Sequence, residues 1–440
     1  MTANLRLLWS KIRASYWFYP ALFSLAALLL ALVLVNLDRS GATAWLGKAQ
    51  VIVPARPQGA SNMLTVIAGS MIGVASTVFS ITIAAVAYAS GTYGPRLLTN
   101  FMQDKGNQLS LATFIATFVY ALTVLRTIRG SDEGPLIALQ GDPSVPLGFV
   151  PQLSLLVAYG LMAVSVGVLV YFLNHIPSSI RINHVLEGIG RRLLSDIERT
   201  FPEEATTVPA PVEVEGDRIF ANGTGYVQMI DFAGLTDIAK ETGTKIALEV
   251  RTGDFVHRHT PIAKGEIDNM GNDALKHIAE CFTLGATRTP EQDIQFLIDE
   301  LVEIALRALS PGINDPFTAI TAVHWLGAAT SELGRRDLRM RVTDDAPSEC
   351  PVIPVPSDFP HFLARGFGAA RSAVASSPIA SLVTLDSLRD AALAVTDSNR
   401  RGLLRAEGDM LMAQAELALG GPDLEKVRQR HAEFHASLLG

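Results

Sequence analysis

Four apolar stretches, roughly residues 18–37, 63–89, 109–128 and 151–174, are each long enough to cross about 30 Å of hydrocarbon at 1.5 Å per residue. Nothing else in the 440 residues constrains the fold as strongly. Lipid offers a backbone no hydrogen-bond partners, so each stretch is predicted to be a transmembrane helix. The 49% hydrophobic content and mean hydropathy of +0.28 exceed what a soluble domain carries. The first stretch is followed by a small-x-small "ATA" at 42–44, but its apolar run is about twice the length of a signal-peptide core, so it reads as an anchor that stays. Tyr16, Trp17, Tyr19 and Trp45 suit the two interfacial belts.

Charge divides the chain in two. Ten basic and five acidic residues precede position 175, whereas 26 basic and 38 acidic residues follow it. The acidic second half argues against a nucleic-acid partner and against lying flat on an anionic leaflet. Arg6, Lys11 and Arg13 before the first span, with Arg181, Arg191 and Arg192 after the fourth, predict that both termini are cytoplasmic. With only Cys281 and Cys350 no disulfide framework is implied, and a reducing compartment fits.

The four predicted spans contain no Asp or Glu, and their only basic residue is Arg126. A proton relay of the kind used by coupled pumps is therefore missing. Small and hydroxyl residues fill the second span, with Gly69 and Gly73 as a GxxxG pair and Ser70, Thr77, Ser80 and Ala84 continuing at helical spacing. In the third, Ser110, Thr113, Thr117, Tyr120 and Thr127 fall on one face. Two readings stay open: close helix packing with hydroxyls bonding across the bundle, or a polar path lined by Ser70, Thr77, Ser80, Thr113, Thr117 and Tyr120. A four-helix protomer alone has little room for a water-filled axis, so the path reading calls for a homo-oligomer.

These patterns predict a membrane protein of four transmembrane α-helices (1–175) followed by a mixed α+β, mainly helical cytoplasmic domain with a small β subdomain. An amphipathic juxtamembrane helix covers 176–201, with Ile180, Val185, Ile189, Leu193 and Ile197 on its apolar face. A Pro- and acid-rich linker opens the β-rich part, 202–270, where "YVQMID", "KIALEV" and "FVHRHTPIAKG" read as strands, "RTGD" as a turn and 234–242 as a short helix. "VRTGDFVHRHTPIAK" resembles the hairpin of biotinyl- and lipoyl-type barrel-sandwich domains, but their Met-Lys acceptor is absent. Residues 271–440 are predicted helical, at about 271–283, 291–309, 316–334, 358–376, 378–397, 399–419 and 422–439, with "LRMRVTD" as a short strand.

"TPEQDIQFLIDELVEIALRALSPGINDPFTAI" reads as a helical hairpin. Pro290, Glu291 and Asp293 suit a helix start, Pro311 and Gly312 a stop, and Asp315 with Pro316 an N-cap and first-turn restart. Capping needs only some of the polar residues present. Arg288, Asp293, Ser310, Asn314, Asp315 and Thr318 are therefore candidate ligand-binding residues, set against an Arg288 carboxylate pair plus Asx capping. His257, His259, His277 and Cys281 have zinc-ligand chemistry, but nothing in the sequence brings the pairs together. No nucleotide-loop, zincin or hydrolase motif occurs, so no metal or cofactor is expected, and the missing motifs lean against an enzyme while leaving that reading open.

Arg288-Thr289, Gln292-Asp293, Ala308-Leu309-Ser310-Pro311-Gly312, Asn314-Asp315-Pro316 and Thr318-Ala319 resemble the signature of a bacterial family of predicted inner-membrane proteins with a domain of unknown function. "SGTYGPRLLTNFMQDKGNQLSLATFIATFVYALTVLR" in the membrane half agrees with it. The resemblance covers most of the chain and implies a multi-pass protein of the bacterial inner membrane, with four spans and a cytoplasmic domain. It carries no activity. Two classes of function follow: an oligomeric channel or pore-like protein with a cytoplasmic regulatory domain, or a membrane-anchored enzyme or ligand sensor using Arg288, Asp293, Asn314 and Asp315. The missing intramembrane carboxylates and catalytic motifs favour the first, with the lipid bilayer and further copies of the chain as partners.

Overall fold

The computed structural model describes residues 12, 15–42, 56–94, 104–129, 149–179, 181–201, 214, 216–266, 272–338 and 351–438. It separates into two compact units, one from Ser10–Gly91 and Pro95–Arg181, the other mainly Ile182–Gly440. The first holds α1 (Phe18–Arg39), α2 (Pro57–Tyr93), α3 (Lys105–Leu125) and α4 (Gln152–Ser179). All four are long and apolar enough to cross a membrane. Leu64, Ile67, Val78, Phe114, Tyr120 and Phe172 are among the side chains buried between them.

Helix ends extend past the apolar runs, and the carboxylates nearest the spans stand at those ends, just outside 18–37 and 109–128. Asp38 lies in the last turn of α1, where it accepts from the Leu153 and Ser154 amides and the Ser154 hydroxyl at 3.1, 3.0 and 2.8 Å. Those amides lie at the start of α4, so a carboxylate from one helix satisfies the orphan donors of another. Asp104 caps α3 through Gly106 N at 2.8 Å and lies 2.7 Å from His175 Nε2 on α4. The segment between α3 and α4 falls largely beyond the described residues, as does most of the linker after Phe201.

The expected 176–201 helix is divided. Pro177 sits in the last turn of α4, which ends at Ser179, and α5 starts afresh at Ile182 and runs to Thr200. Among the described residues seven short strands follow: β1 (Asp217–Phe220), β2 (Gly225–Ile230), β3 (Ile246–Leu248), β4 (Phe255–Val256), β5 (Pro261–Gly265), β6 (Phe282–Gly285) and β7 (Val352–Ile353). They form two sheets, of order β1-β5-β3-β7 and β4-β2-β6, in which only β3 and β7 run parallel. "RTGD" therefore carries the chain from one sheet to the other and does not close a barrel-sandwich hairpin. Gly253 makes that crossing with φ +92° and donates to Val227 O at 2.8 Å. The "FVHRHTPIAKG" run breaks into β4 and β5 at a turn where Thr260 N reaches His257 O at 2.7 Å. The expected 271–283 helix stops earlier, as α7 (Asn272–Glu280), because Phe282 is taken up by β6 pairing with β2.

Between β2 and β3 lies α6 (Phe232–Thr242). The remaining helices are α8 (Ile294–Ala308), α9 (Pro316–Arg335), α10 (Phe359–Leu363), α11 (Ala369–Ala375), α12 (Pro378–Ala394), α13 (Ser398–Ala418) and α14 (Gly421–Ser437). A π-helical turn, Ala364–Gly368, joins α10 to α11. Central α9 packs on α5, α8 and α12. Gly190 of α5 makes room for the Trp325 ring of α9: a Cβ there would lie 2.2 Å from that ring. The strand expected at "LRMRVTD" lies outside the described residues beyond Leu338.

Candidate functional site

α8 begins at Ile294, three residues later than its pattern predicts, because Asp293 takes the N-cap and its Oδ1 accepts from Phe296 N at 3.1 Å. Its other oxygen, Oδ2, accepts from Arg288 Nε and Nη2 at 2.9 and 2.6 Å. Arg288 also donates through Nη1 to Asp299, six residues beyond Asp293 along α8. Asp299 in turn receives Arg365 Nε and Nη2 at 2.6 and 2.7 Å. Carboxylates and guanidiniums thus alternate as Asp293, Arg288, Asp299, Arg365. The first three side chains are only 2%, 10% and 13% exposed, so their charges are balanced out of water. Gly253 covers the pair: a Cβ there would stand 2.2 Å from Asp293 Oδ2, which only a glycine backbone avoids.

Burial separates the two carboxyls. It raises Asp293 above its ordinary value against the opposing pull of Arg288. Burial acts on Asp299 too, but hydrogen bonds and charge from Arg365 and Arg288 outweigh it and hold this carboxyl below its ordinary value.

The other sequence candidates lie elsewhere. Asp315 caps α9, accepting from Thr318 N at 3.2 Å and from Thr318 Oγ1 at 2.5 Å. Ser310 Oγ donates to Arg307 O at 2.6 Å, and Asn314 takes a left-handed φ of +49° with its amide on Ser310 O. This group sits past the C-terminus of a 15-residue helix from Asp293, hence about 22 Å away at 1.5 Å per residue. Six candidates therefore resolve into two constellations at opposite ends of α8. Asp315 and Thr318 are occupied with the turn itself.

A cavity of about 220 Å³ opens beside the Asp293 end. Asp196 and Arg199 of α5, Arg251 of the sheet crossing, and Glu291, Gln292 and Asp293 supply its polar wall, with Val250 and Phe362 among the apolar lining. Gln292 is held rigidly, its Oε1 accepting from Ile230 N at 2.9 Å. Arg251 donates through Nη2 to Pro356 O, while its Nε is buried without a hydrogen-bond partner. Among the described residues Arg251 forms no ion pair. Asp299, Arg365, Arg251 and Asp196 were not legible in the sequence, since each comes from a segment whose pattern reports only helix, strand or turn.

The pore candidates divide as well. Thr117 Oγ1 and Ser165 Oγ lie 2.9 Å apart in the bundle interior, and Tyr120 donates to Ser154 O at 2.9 Å. Thr113 donates back to Leu109 O. Ser70, Thr77 and Ser80 face outward from the protomer, the last two donating to Gly73 O and Ser76 O. Of the zinc-type candidates, Cys281 is buried and its thiol is pushed up to about 12 by burial first, then by Asp231 and Glu280. Neither it nor His257, His259 or His277 belongs to a converging set of three ligands among the described residues; the set that does converge is Asp409, His431 and His435.

Relatives match over most of the chain. It is 30% identical over 378 residues to the uncharacterized proteins Rv1290c of Mycobacterium tuberculosis (strain ATCC 25618 / H37Rv) and Mb1321c of Mycobacterium bovis (strain ATCC BAA-935 / AF2122/97), covering 82% of this chain and 69% of theirs. No solved structure matches it significantly. With the sequence model of the family described as "Predicted membrane protein (DUF2254)" matching residues 13–390, the chain belongs to that family of membrane proteins.

Proposed function

We propose that the chain is a homo-oligomeric, channel-like protein of the bacterial inner membrane, with both termini and the second unit in the cytoplasm, and that a small anionic ligand of that unit regulates it. One observation carries the membrane part: Gly69, Ser70, Gly73, Thr77 and Ser80 of α2 are exposed on the protomer in the middle of an apolar span. Small faces of this kind gain little from lipid and pack closely on another helix. The Thr77 and Ser80 hydroxyls donate to carbonyls one turn back, which satisfies those donors and leaves oxygen acceptors turned outward.

The regulatory part rests on the cavity. Its polar wall includes Arg251 without a carboxylate, and its α5 wall belongs to the helix that follows the last span after residues 180 and 181. A carboxylate or phosphate seated on Arg251 biases α5 directly. The alternative reading, a membrane-anchored ligand sensor or enzyme, uses the same cavity and needs no oligomer.

Native mass spectrometry and ion flux in liposomes separate the two. The channel reading expects a multimer whose assembly and flux are both lost in Gly73→Leu and retained in Arg251→Gln, the latter losing only thermal stabilisation by small organic and inorganic anions. A monomeric parent that conducts no ion under any salt condition overturns it.

A further inference from the structure

We propose that Asp409, His431 and His435 form a binding site for a divalent late first-row transition ion, with Zn²⁺ as the reference case. The three residues lie on α13 and α14, past the residues matched by the family model, which stop at 390.

The hairpin is shaped to bring them together. His431 and His435 are four residues apart and share a face of α14. Between them in sequence stands Phe434, 1% exposed, whose ring packs where a Cβ on Gly408 would lie 2.5 Å away. Glycine inside a helix costs about 1 kcal/mol relative to alanine, and at 408 it lets α14 approach α13 closely. The neighbour of that glycine is Asp409, so the same approach lowers both imidazoles onto its carboxylate. His431 Nε2 and His435 Nε2 stand 2.8 and 2.6 Å from one oxygen, Asp409 Oδ1.

Two imidazoles and a carboxylate are the donor set of borderline divalent ions, for which Zn²⁺ and its neighbours in the series compete best. One ligand atom from each residue lies within 4.8 Å of the others. A tetrahedral ion with bonds near 2.0–2.2 Å wants donors about 3.3 Å apart, so seating it needs only small outward shifts of these side chains. With exposures of 21%, 31% and 49% for His431, His435 and Asp409, the ligands are free to make those shifts and the ion has a path in. Three protein ligands leave the fourth position open to water or to a donor from another molecule. Both imidazoles approach through Nε2, which leaves each Nδ1 available for the orienting contact that metal-binding histidines use. Bound there, the ion ties the last helix to the one before it.

The test uses tag-free, full-length protein in detergent, stripped with EDTA and titrated with Co²⁺, reading visible absorption, then Zn²⁺ in competition. One Co²⁺ per chain, displaced by Zn²⁺, is expected. His431→Ala and His435→Ala should each raise the Kd at least roughly hundredfold, while His184→Ala, on exposed α5 surface, leaves it unchanged. Alanine could loosen the hairpin, so Asp409→Asn, which keeps its shape and removes the charge, gives the second reading and should weaken binding with an unchanged melt in EDTA. Absence of a saturable site, or a Kd that His435→Ala and Asp409→Asn leave at the parent value, overturns the proposal.

Discussion

Asp293 and Asp299 share Arg288, yet neutralising them should have unequal consequences. Asp299 receives three charge-assisted hydrogen bonds, two from Arg365 at 2.6 and 2.7 Å and one from Arg288. Asp299→Asn keeps the shape and one acceptor oxygen but leaves two partly buried guanidiniums with a single carboxylate between them. Breaking a buried pair in this way costs about 3–5 kcal/mol. Asp293→Asn loses two bonds from Arg288 and retains the cap on Phe296 N through its amide oxygen. It also relieves a charge that burial already disfavours, so the expected cost is about 1–2 kcal/mol.

The pH dependence of the two should differ in sign. Asp299 titrates below its ordinary 3.8, so its contribution is fully present above that pH and is lost only as pH falls through the lowered value. The penalty of Asp299→Asn is therefore flat from neutrality to about pH 4. Asp293 titrates above 3.8, so on acidification the folded parent takes up this proton before the unfolded chain does and gains stability. The Asn variant cannot, and its penalty grows between neutrality and pH 4. Chemical denaturation of the full-length protein in micelles at pH 7 and pH 5, followed by Trp fluorescence and circular dichroism together, measures both. Equal penalties at pH 7, or an Asp293→Asn penalty that shrinks on acidification, would refute the reasoning.

Three further outcomes are expected. Asp315→Asn should melt like the parent and Asp315→Ala should lose about 1 kcal/mol, because the α9 cap needs an acceptor and not a charge; a thermal melt compares them. Gly190→Ala meets the Trp325 ring and should cost about 1–3 kcal/mol, whereas Gly188→Ala, with open space around it, should be neutral or gain up to about 1 kcal/mol. Thr117→Val removes the bond to Ser165 and should cost about 0.6–2 kcal/mol in a detergent melt, leaving ion flux unchanged because this side chain faces the bundle interior.

Long periodic elements were legible in the sequence and short pairings were not. Four helices long and apolar enough to span a membrane, and the α8–α9 pair with its Asp315 cap, follow from local rules: apolar length, 3.6-residue spacing and an acceptor before a proline. β6 was hidden because "CFTLG" has no alternation to distinguish it from the end of α7; only pairing with β2, far away in sequence, decides it. Asp293 and Arg288 announce themselves as a local pair five residues apart. Arg365 does not, since its link to Asp299 spans 66 residues and depends on a π-turn that shifts its register. His431 and His435 show their i, i+4 spacing openly, but Asp409 becomes their partner only through the close packing at Gly408.

The charge balance around α8 narrows what the cavity can accept. Asp293, Arg288, Asp299 and Arg365 neutralise one another, and a ligand that competed for any of them would have to replace a bond already made at 2.6–2.9 Å. Asp196 is likewise engaged by Arg199 at 2.8 Å, and Glu291 stands 3.8 Å from Arg192. A cation entering the cavity would meet carboxylates that are already compensated. An anion would meet Arg251, whose buried Nε has no acceptor and whose remaining contact is one carbonyl. Leaving a buried donor unsatisfied costs about 1–3 kcal/mol, and a carboxylate or phosphate at that position would recover it. Arg251 sits in the sheet crossing that Gly253 presses onto the Asp293–Arg288 pair. On the proposed reading, an anion on Arg251 would pull on the crossing that covers the start of α8, in a cavity whose wall includes Asp196 and Arg199 of α5.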